Sequence, residues 1–268
     1  MDLITGQEVA RFGKGHTFVS GFVNGQELNV FATEFTDFGT KMNLMGITRF
    51  TTTDLKNWTQ QRVLSRREGG DENLFNSSVC ADDQGYLMAY EYNQPGTPNI
   101  WSFQFARSKD LAHWEKINGL HYTDLQEKTA CSNPTIRYFA PYYYVMYGGW
   151  RWAGPGVHYE YRLDTTKYVT FLARSKDLKT WELSPTRYPM LDPVDGEGIN
   201  NTDADLFEWD GNTYIYYATG NQADWASIRV AMYPGPMKEL FEKHFPENVP
   251  MVQFDAVQSK YIYPPSSQ

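Results

Sequence analysis

Three copies of one seven-residue motif constrain this chain more than any other feature. TTDLKNW ends at Trp58, SKDLAHW at Trp114 and SKDLKTW at Trp181. Their aspartates are Asp54, Asp110 and Asp177, 56 and 67 residues apart. Two copies extend upstream, as FARSKDLAHWE (105–115) and LARSKDLKTWE (172–182). A repeat of this length is one supersecondary unit that buries its apolar face against its neighbours. In each copy an apolar strand leads in, and a polar Ser/Thr-x-Asp turn follows. The Asp can accept backbone N–H bonds there. Leu then returns to the core, and Trp anchors the next strand. These Asp and Trp residues are therefore read as structural.

A second pattern precedes each turn. It is a polar opening, an apolar strand, a turn and an aromatic strand. It occurs at 15–35, 76–92, 133–149 and 201–220, with openings at His16, Asn76, Asn133 and Asn201. DDQG (82–85) and WDGN (209–212) are hairpin turns. FAP replaces the polar turn in the third copy. Strand signals rich in Tyr, Phe, Val and Thr dominate, and aromatic residues make up 16% of the chain. The best helix signal is PMKELFEKHF, 236–245. The pattern predicts an all-β fold over 1–268 as one domain, a β-propeller of four-stranded antiparallel blades. Four repeats are countable. Residues 241–268 are too short for a further blade and are expected to help close the ring with N-terminal residues.

Composition removes other classes. The net charge of −8 argues against a general nucleic-acid partner. No apolar run approaches a membrane span. The first 15 residues lack a basic stretch followed by an apolar core, so no signal peptide is expected. That leaves the compartment open among cytoplasm, periplasm and exterior. Cys80 and Cys131 are too few for a disulfide scaffold or a cysteine-rich zinc site, and are read as buried thiols. No P-loop, GxSxG elbow or HExxH is present.

The aromatic inner hairpin together with S-x-D-L-x-x-W resembles the five-bladed β-propeller glycoside hydrolases. These include family 43 arabinanases and xylosidases, family 32 fructosidases, and the anhydrogalactosidase-like (family 117) and mannoside-phosphorylase-like branches. The resemblance covers about residues 12–235, and 198–222 looks most like uncharacterised and anhydrogalactosidase-like members. It implies five blades and an oligosaccharide substrate. It also implies an Asp opening the first blade, an Asp opening the third and a general-acid Glu near the fourth. Here His16 and Asn133 stand at the first two positions. No cofactor is required, although the resemblance allows a structural Ca²⁺ on the axis. A homodimer is left open.

Glycoside cleavage needs carboxyl groups beside the scissile bond, one of them held protonated. Two clusters supply them. In DENLFNSS (71–78), Asp71 and Glu72 are adjacent, so a strand turns at most one of them inward. In DGEGINNTDADLFEWDG (195–211), Glu197 lies between two glycines and is the leading general-acid candidate. Asp203 is the favoured inward carboxylate. Asp205, two residues on, shares its face in a regular strand and supports it or binds a cation. His16 and Asn133 are expected to contact sugar hydroxyls. Trp150, Arg151, Trp152 and Trp225 are candidate walls, the indoles stacking on sugar rings and Arg151 pairing with an acidic sugar. The reading is a hydrolase acting on a terminal sugar or short oligosaccharide. A non-catalytic sugar-binding propeller and a phosphate-dependent phosphorylase are the alternatives.

Overall fold

The computed structural model describes residues 7–35, 44–66, 72–93, 101–122, 131–150, 167–184, 189–258 and 260–264. The first blade is β1 (His16–Asn24), β2 (Glu27–Phe35), β3 (Leu44–Thr52) and β4 (Thr59–Ser65). The second is β5 (Asn73–Asp82), β6 (Gly85–Asn93), β7 (Trp101–Ser108) and β8 (Trp114–Tyr122). The third is β9 (Ser132–Phe139), β10 (Tyr142–Trp150), β11 (Tyr168–Ser175) and β12 (Thr180–Leu183). The fourth has three strands, β13 (Asn200–Trp209), β14 (Asn212–Gly220) and β15 (Ala226–Tyr233). Within each blade, strands adjacent in sequence pair antiparallel. Blades three and four share one parallel backbone pair, Tyr168 with Asn200.

The repeated turn has the same chemistry three times. The Thr52, Ser108 and Ser175 hydroxyls accept the N–H of Leu55, Leu111 and Leu178 at 2.9, 2.9 and 3.0 Å. One oxygen of Asp54, Asp110 or Asp177 accepts the next two N–H groups at 2.8–2.9 Å. The leucines take left-handed φ angles of 59, 64 and 64°. That conformation is costly for a bulky residue and persists because these hydrogen bonds over-determine it. Each Trp indole N–H then donates to the carbonyl of the same Leu.

The three tryptophans nevertheless differ in burial. Trp181 is fully buried, whereas Trp58 and Trp114 are half-buried. The reason is the C-terminal segment. After α1 (Met237–Glu242), the hairpin β16 (Gln253–Asp255) and β17 (Lys260–Ile262) adds to the outer edge of β12, setting Phe254 opposite Trp181. Phe105 stacks on the same indole at 5.7 Å. These two strands therefore widen the third blade, where ring closure was expected of the C-terminal segment. Trp181→Ala should cost about 3–5 kcal/mol and Trp58→Ala clearly less, as read by urea denaturation.

Apolar layers lie between successive blades. Phe31, Ile47, Val79 and Tyr90 fill the first, and Phe103, Phe105, Ile136, Val145 and Phe171 the second. Tyr144, Leu172, Leu206, Ile215 and Phe241 of α1 fill the third. Four blades give three such layers among the described residues, and none joins the fourth blade to the first. A fifth blade is not formed by the described residues. Cys80 and Cys131 are buried free thiols, and burial pushes Cys80 up to about 12.

Candidate functional site

Every innermost strand is broken near its start by one left-handed residue. These are Phe18 (φ 51°), Asn76 (44°), Asn133 (52°) and Asp203 (54°). At each, the pairing register slips. Such a bulge adds an unpaired residue and re-aims its side chain. The equivalent positions are therefore Phe18, Asn76, Asn133 and Asp203. The openings expected at His16 and Asn201 each move two residues on.

The bulges bring three blades together. Asn76 on β5 donates through Nδ2 to Asn133 Oδ1 on β9 and, at 2.8 Å, to Glu91 Oε2 on β6. The Asn133 backbone N–H donates to the same Glu91 oxygen at 3.0 Å. Glu91 is only 2% exposed. Burial pushes its carboxyl up to about 8, the Asn76 and Asn133 bonds pull it back, and the Asp203 charge adds to the rise. Asp203 is exposed to solvent, yet surrounding protein desolvates it enough to raise its carboxyl against the Thr202 hydrogen bond. The Tyr168 hydroxyl meets Ser132 Oγ in the field of both acids, and burial raises it. Gly148 makes room here, because a Cβ on it would lie 3.0 Å from Ser132 Oγ and 3.2 Å from the Tyr168 hydroxyl. The result is an accessible carboxyl coupled to a buried one.

Glu91 was not among the sequence candidates. It sits in YLMAYEY, which reads as a plain aromatic strand. The available signal was an acid inside a strand otherwise fit for burial.

A hydrogen-bonded rim continues from Asp203. The Thr202 hydroxyl donates to Asp203 Oδ2 and Asn200 Oδ1, at 3.0 and 2.9 Å. Gln222 Nε2 donates to Asn200 Oδ1 at 2.6 Å. Gln222 belongs to the 221–225 loop, where Asn221 Oδ1 accepts three backbone N–H groups, including that of Trp225. The Trp225 ring lies over Gly198, whose absent Cβ would approach it to 3.0 Å. Trp225 is 42% exposed.

The other expected residues fall elsewhere. Glu197 is 6% exposed and accepts from Asn201 Nδ2, the Val194 N–H and the Tyr217 hydroxyl, at 3.0, 3.1 and 2.8 Å. Burial pushes it up, but these donors and the Arg229 charge outweigh that and hold it below its usual range. An acid held ionised does not suit the general-acid role expected of it. Its stability contribution should be present above the unfolded carboxyl range and lost as pH falls through the folded value. Glu197→Gln should therefore lower the melting temperature near pH 7, and the gap should close below about pH 4. Calorimetry at several pH values checks this.

Asp205 pairs with Arg137 at 2.6 Å and accepts the Leu206 N–H, tying β13 to β9. The bulge between Thr202 and Asp205 breaks the alternation that would give Asp203 and Asp205 one face. His16 Nδ1 meets the Lys14 carbonyl at 3.1 Å, and its ring lies edge-on to Phe50, on the face of the first blade turned from the second. Its Nε2 is buried without a hydrogen-bond partner among the described residues. Glu72 is 7% exposed just before β5. Asp71, Arg151, Trp152 and the Trp150 side chain lie outside the described residues.

Among the described residues no three His, Cys, Asp or Glu side chains could hold a metal. On the axis, Glu91 Oε2 already accepts two N–H groups and Asn133 Oδ1 a third. Calcium takes six to eight oxygen ligands, so these described residues by themselves do not fit the axial Ca²⁺ that the resemblance allows. No described helix is long and apolar enough to cross a membrane.

No family model matches the chain, nor does any curated protein. Solved structures do. A glycoside hydrolase matches with a TM-score of 0.60 at 18% identity, over 81% of this chain and 65% of its own. The Bombyx mori GH32 beta-fructofuranosidase gives 0.60 at 16%, over 84% and 47%. The beta-1,2-mannobiose phosphorylase from Listeria innocua gives 0.57 at 15%, over 85% and 60%. The chain thus spans less than two thirds of the length of each. At these identities the likeness is one of fold. The described strands, their repeated turns and these matches agree, and the chain has the β-propeller fold that glycoside hydrolases use.

Proposed function

We propose that the chain is a glycoside hydrolase acting on a terminal sugar or short oligosaccharide, with Asp203 as its reacting carboxyl. What carries the reading is one accessible acid on a bulge, desolvated enough to raise its pKa and coupled to buried Glu91. A raised carboxyl stays protonated further toward neutral pH, as a general acid must. Asp203 gives its proton to the glycosidic oxygen as that bond breaks. Water adds to the sugar carbon from the other side and loses its proton to bulk solvent, from which Asp203 is then reprotonated. Trp225 offers the sugar an apolar face, and Asn200, Thr202 and Gln222 order the rim. Glu91 is too buried to touch substrate and acts by holding Asn76 and Asn133.

A specific observation favours a second reading. Of the two coupled axial acids only Asp203 is accessible, and phosphorolysis needs one acid because phosphate itself attacks. Against it, Arg107 pairs with Asp82, and Arg174 with Glu182 at 2.5 Å. Both arginines are therefore already engaged within the fold.

The test is sugar release from plant and algal oligosaccharides, with and without phosphate, by the parent and by Asp203→Asn. Release independent of phosphate and lost in the variant supports hydrolysis. Release only with phosphate selects phosphorolysis. Binding without release by either protein leaves a carbohydrate-binding propeller.

A further inference from the structure

The fourth blade has two apolar faces, and among the described residues one of them is uncovered. Leu206, Ile215 and Tyr217 pack on the third blade and α1. The register sets Phe207 beside Tyr214 and Met232, and Tyr216 beside Val230, on the opposite face, which Trp209 and Ile228 share. There Trp209 is 62% exposed, Ile228 68%, Val230 50%, Met232 56% and Phe207 36%. Phe207 stacks on Tyr214 and Tyr216 at 5.5 and 5.9 Å, which makes the face one continuous aromatic patch. Asp205 is the charged residue in these rows, and Arg137 neutralises it. An uncharged face thus stands out on a chain of net charge −8.

We propose that a second copy of this chain docks on that face, sheet against sheet across a two-fold axis. Its extent fits. At roughly 200 Å² for a large side chain, the five exposures amount to on the order of 500 Å² of apolar surface. A standard interface buries about 800 Å² per partner, a little over half of it apolar. Its composition fits as well, since aromatic residues and Met are enriched at interface cores.

The layout is self-complementary. Aromatic Phe207 and Trp209 lie on β13 and aliphatic Ile228, Val230 and Met232 on β15, with Tyr214 and Tyr216 between them on β14. A two-fold axis along β14 lays the aromatic edge of one copy on the aliphatic edge of the other, with the sheets about 10 Å apart. The corresponding wall on the first blade is partly covered by its own chain. Phe12 stacks on Trp58 there at 3.8 Å and tilts against Phe50. Val19 and Val23 remain exposed on that wall, at 66% and 65%.

Sedimentation velocity of the full chain tests this. The parent should run at twice the 31.0 kDa chain mass. Ile228→Glu with Val230→Glu should weaken association at least about 100-fold. Val19→Glu with Val23→Glu should leave it unchanged. All four positions are exposed, and near-UV circular dichroism confirms that each variant is folded. A parent that is monomeric at about 100 µM overturns the proposal. So does a dimer that survives the charges on β15. A dimer dissolved by the charges on β1 also overturns it, because the partner would then be seated on the first blade as well.

Discussion

Asp203→Asn is expected to cut turnover by roughly 10³-fold, within the 10²–10⁴ typical of a lost acid/base, with little change in KM. The substitution removes the transferable proton and little else. Asn is at home in the left-handed region, and Asn76 and Asn133 already hold the equivalent bulges in blades two and three. Desolvation also favours a neutral group at this position. The variant should therefore melt at or slightly above the parent temperature near pH 7. Loss of turnover with unchanged or raised stability separates a chemical role from a structural one. Loss of both would point to a scaffolding carboxylate.

The second large effect belongs to Glu91. Burial pushes its folded carboxyl up to about 8, against an ordinary 4.5. Between those values the folded chain holds a proton that the unfolded chain has released, so stability must fall as pH rises through the window. At about 1.4 kcal/mol per pH unit, the loss is on the order of 5 kcal/mol. Glu91→Gln keeps an acceptor for Asn76 and Asn133 and cannot ionise. Parent and variant should be equally stable at pH 4–5, with the variant ahead by pH 9. Urea denaturation across this range reads the difference directly. A gap that does not change with pH would mean that Glu91 is not stored protonated.

Much of the scaffold was legible because its signals are local. The Ser/Thr-x-Asp turn, its Leu and its Trp act within seven residues, and the structure shows the expected backbone N–H bonds to the Asp in all three copies. DDQG and WDGN gave their hairpins for the same reason. The helix expected within 236–245 is there as α1.

The site was less legible because it rests on backbone irregularity and contacts across blades. Simple alternation put Asp203 and Asp205 on one face, and a bulge separates them. The glycines around Glu197 do take positive φ angles of 86 and 77°. Its ionised state, however, comes from donors such as Tyr217, 20 residues away. Glu91 was hidden because its partner Asn133 lies 42 residues away in the next blade. The C-terminal strands were misplaced because their edge on β12 is a long-range choice that no local motif encodes.

The central claim is that Glu91 and Asp203 form one coupled carboxyl pair where the blades meet. Carboxyl-carbon NMR titration of the parent, Glu91→Gln and Asp203→Asn tests it most directly. The account predicts one parent carboxyl titrating near pH 8, absent in Glu91→Gln and moved to lower pH in Asp203→Asn, where the neighbouring charge is gone. A parent whose carboxyls all titrate in the ordinary acidic range would contradict it, as would a Glu91 midpoint that Asp203→Asn leaves in place.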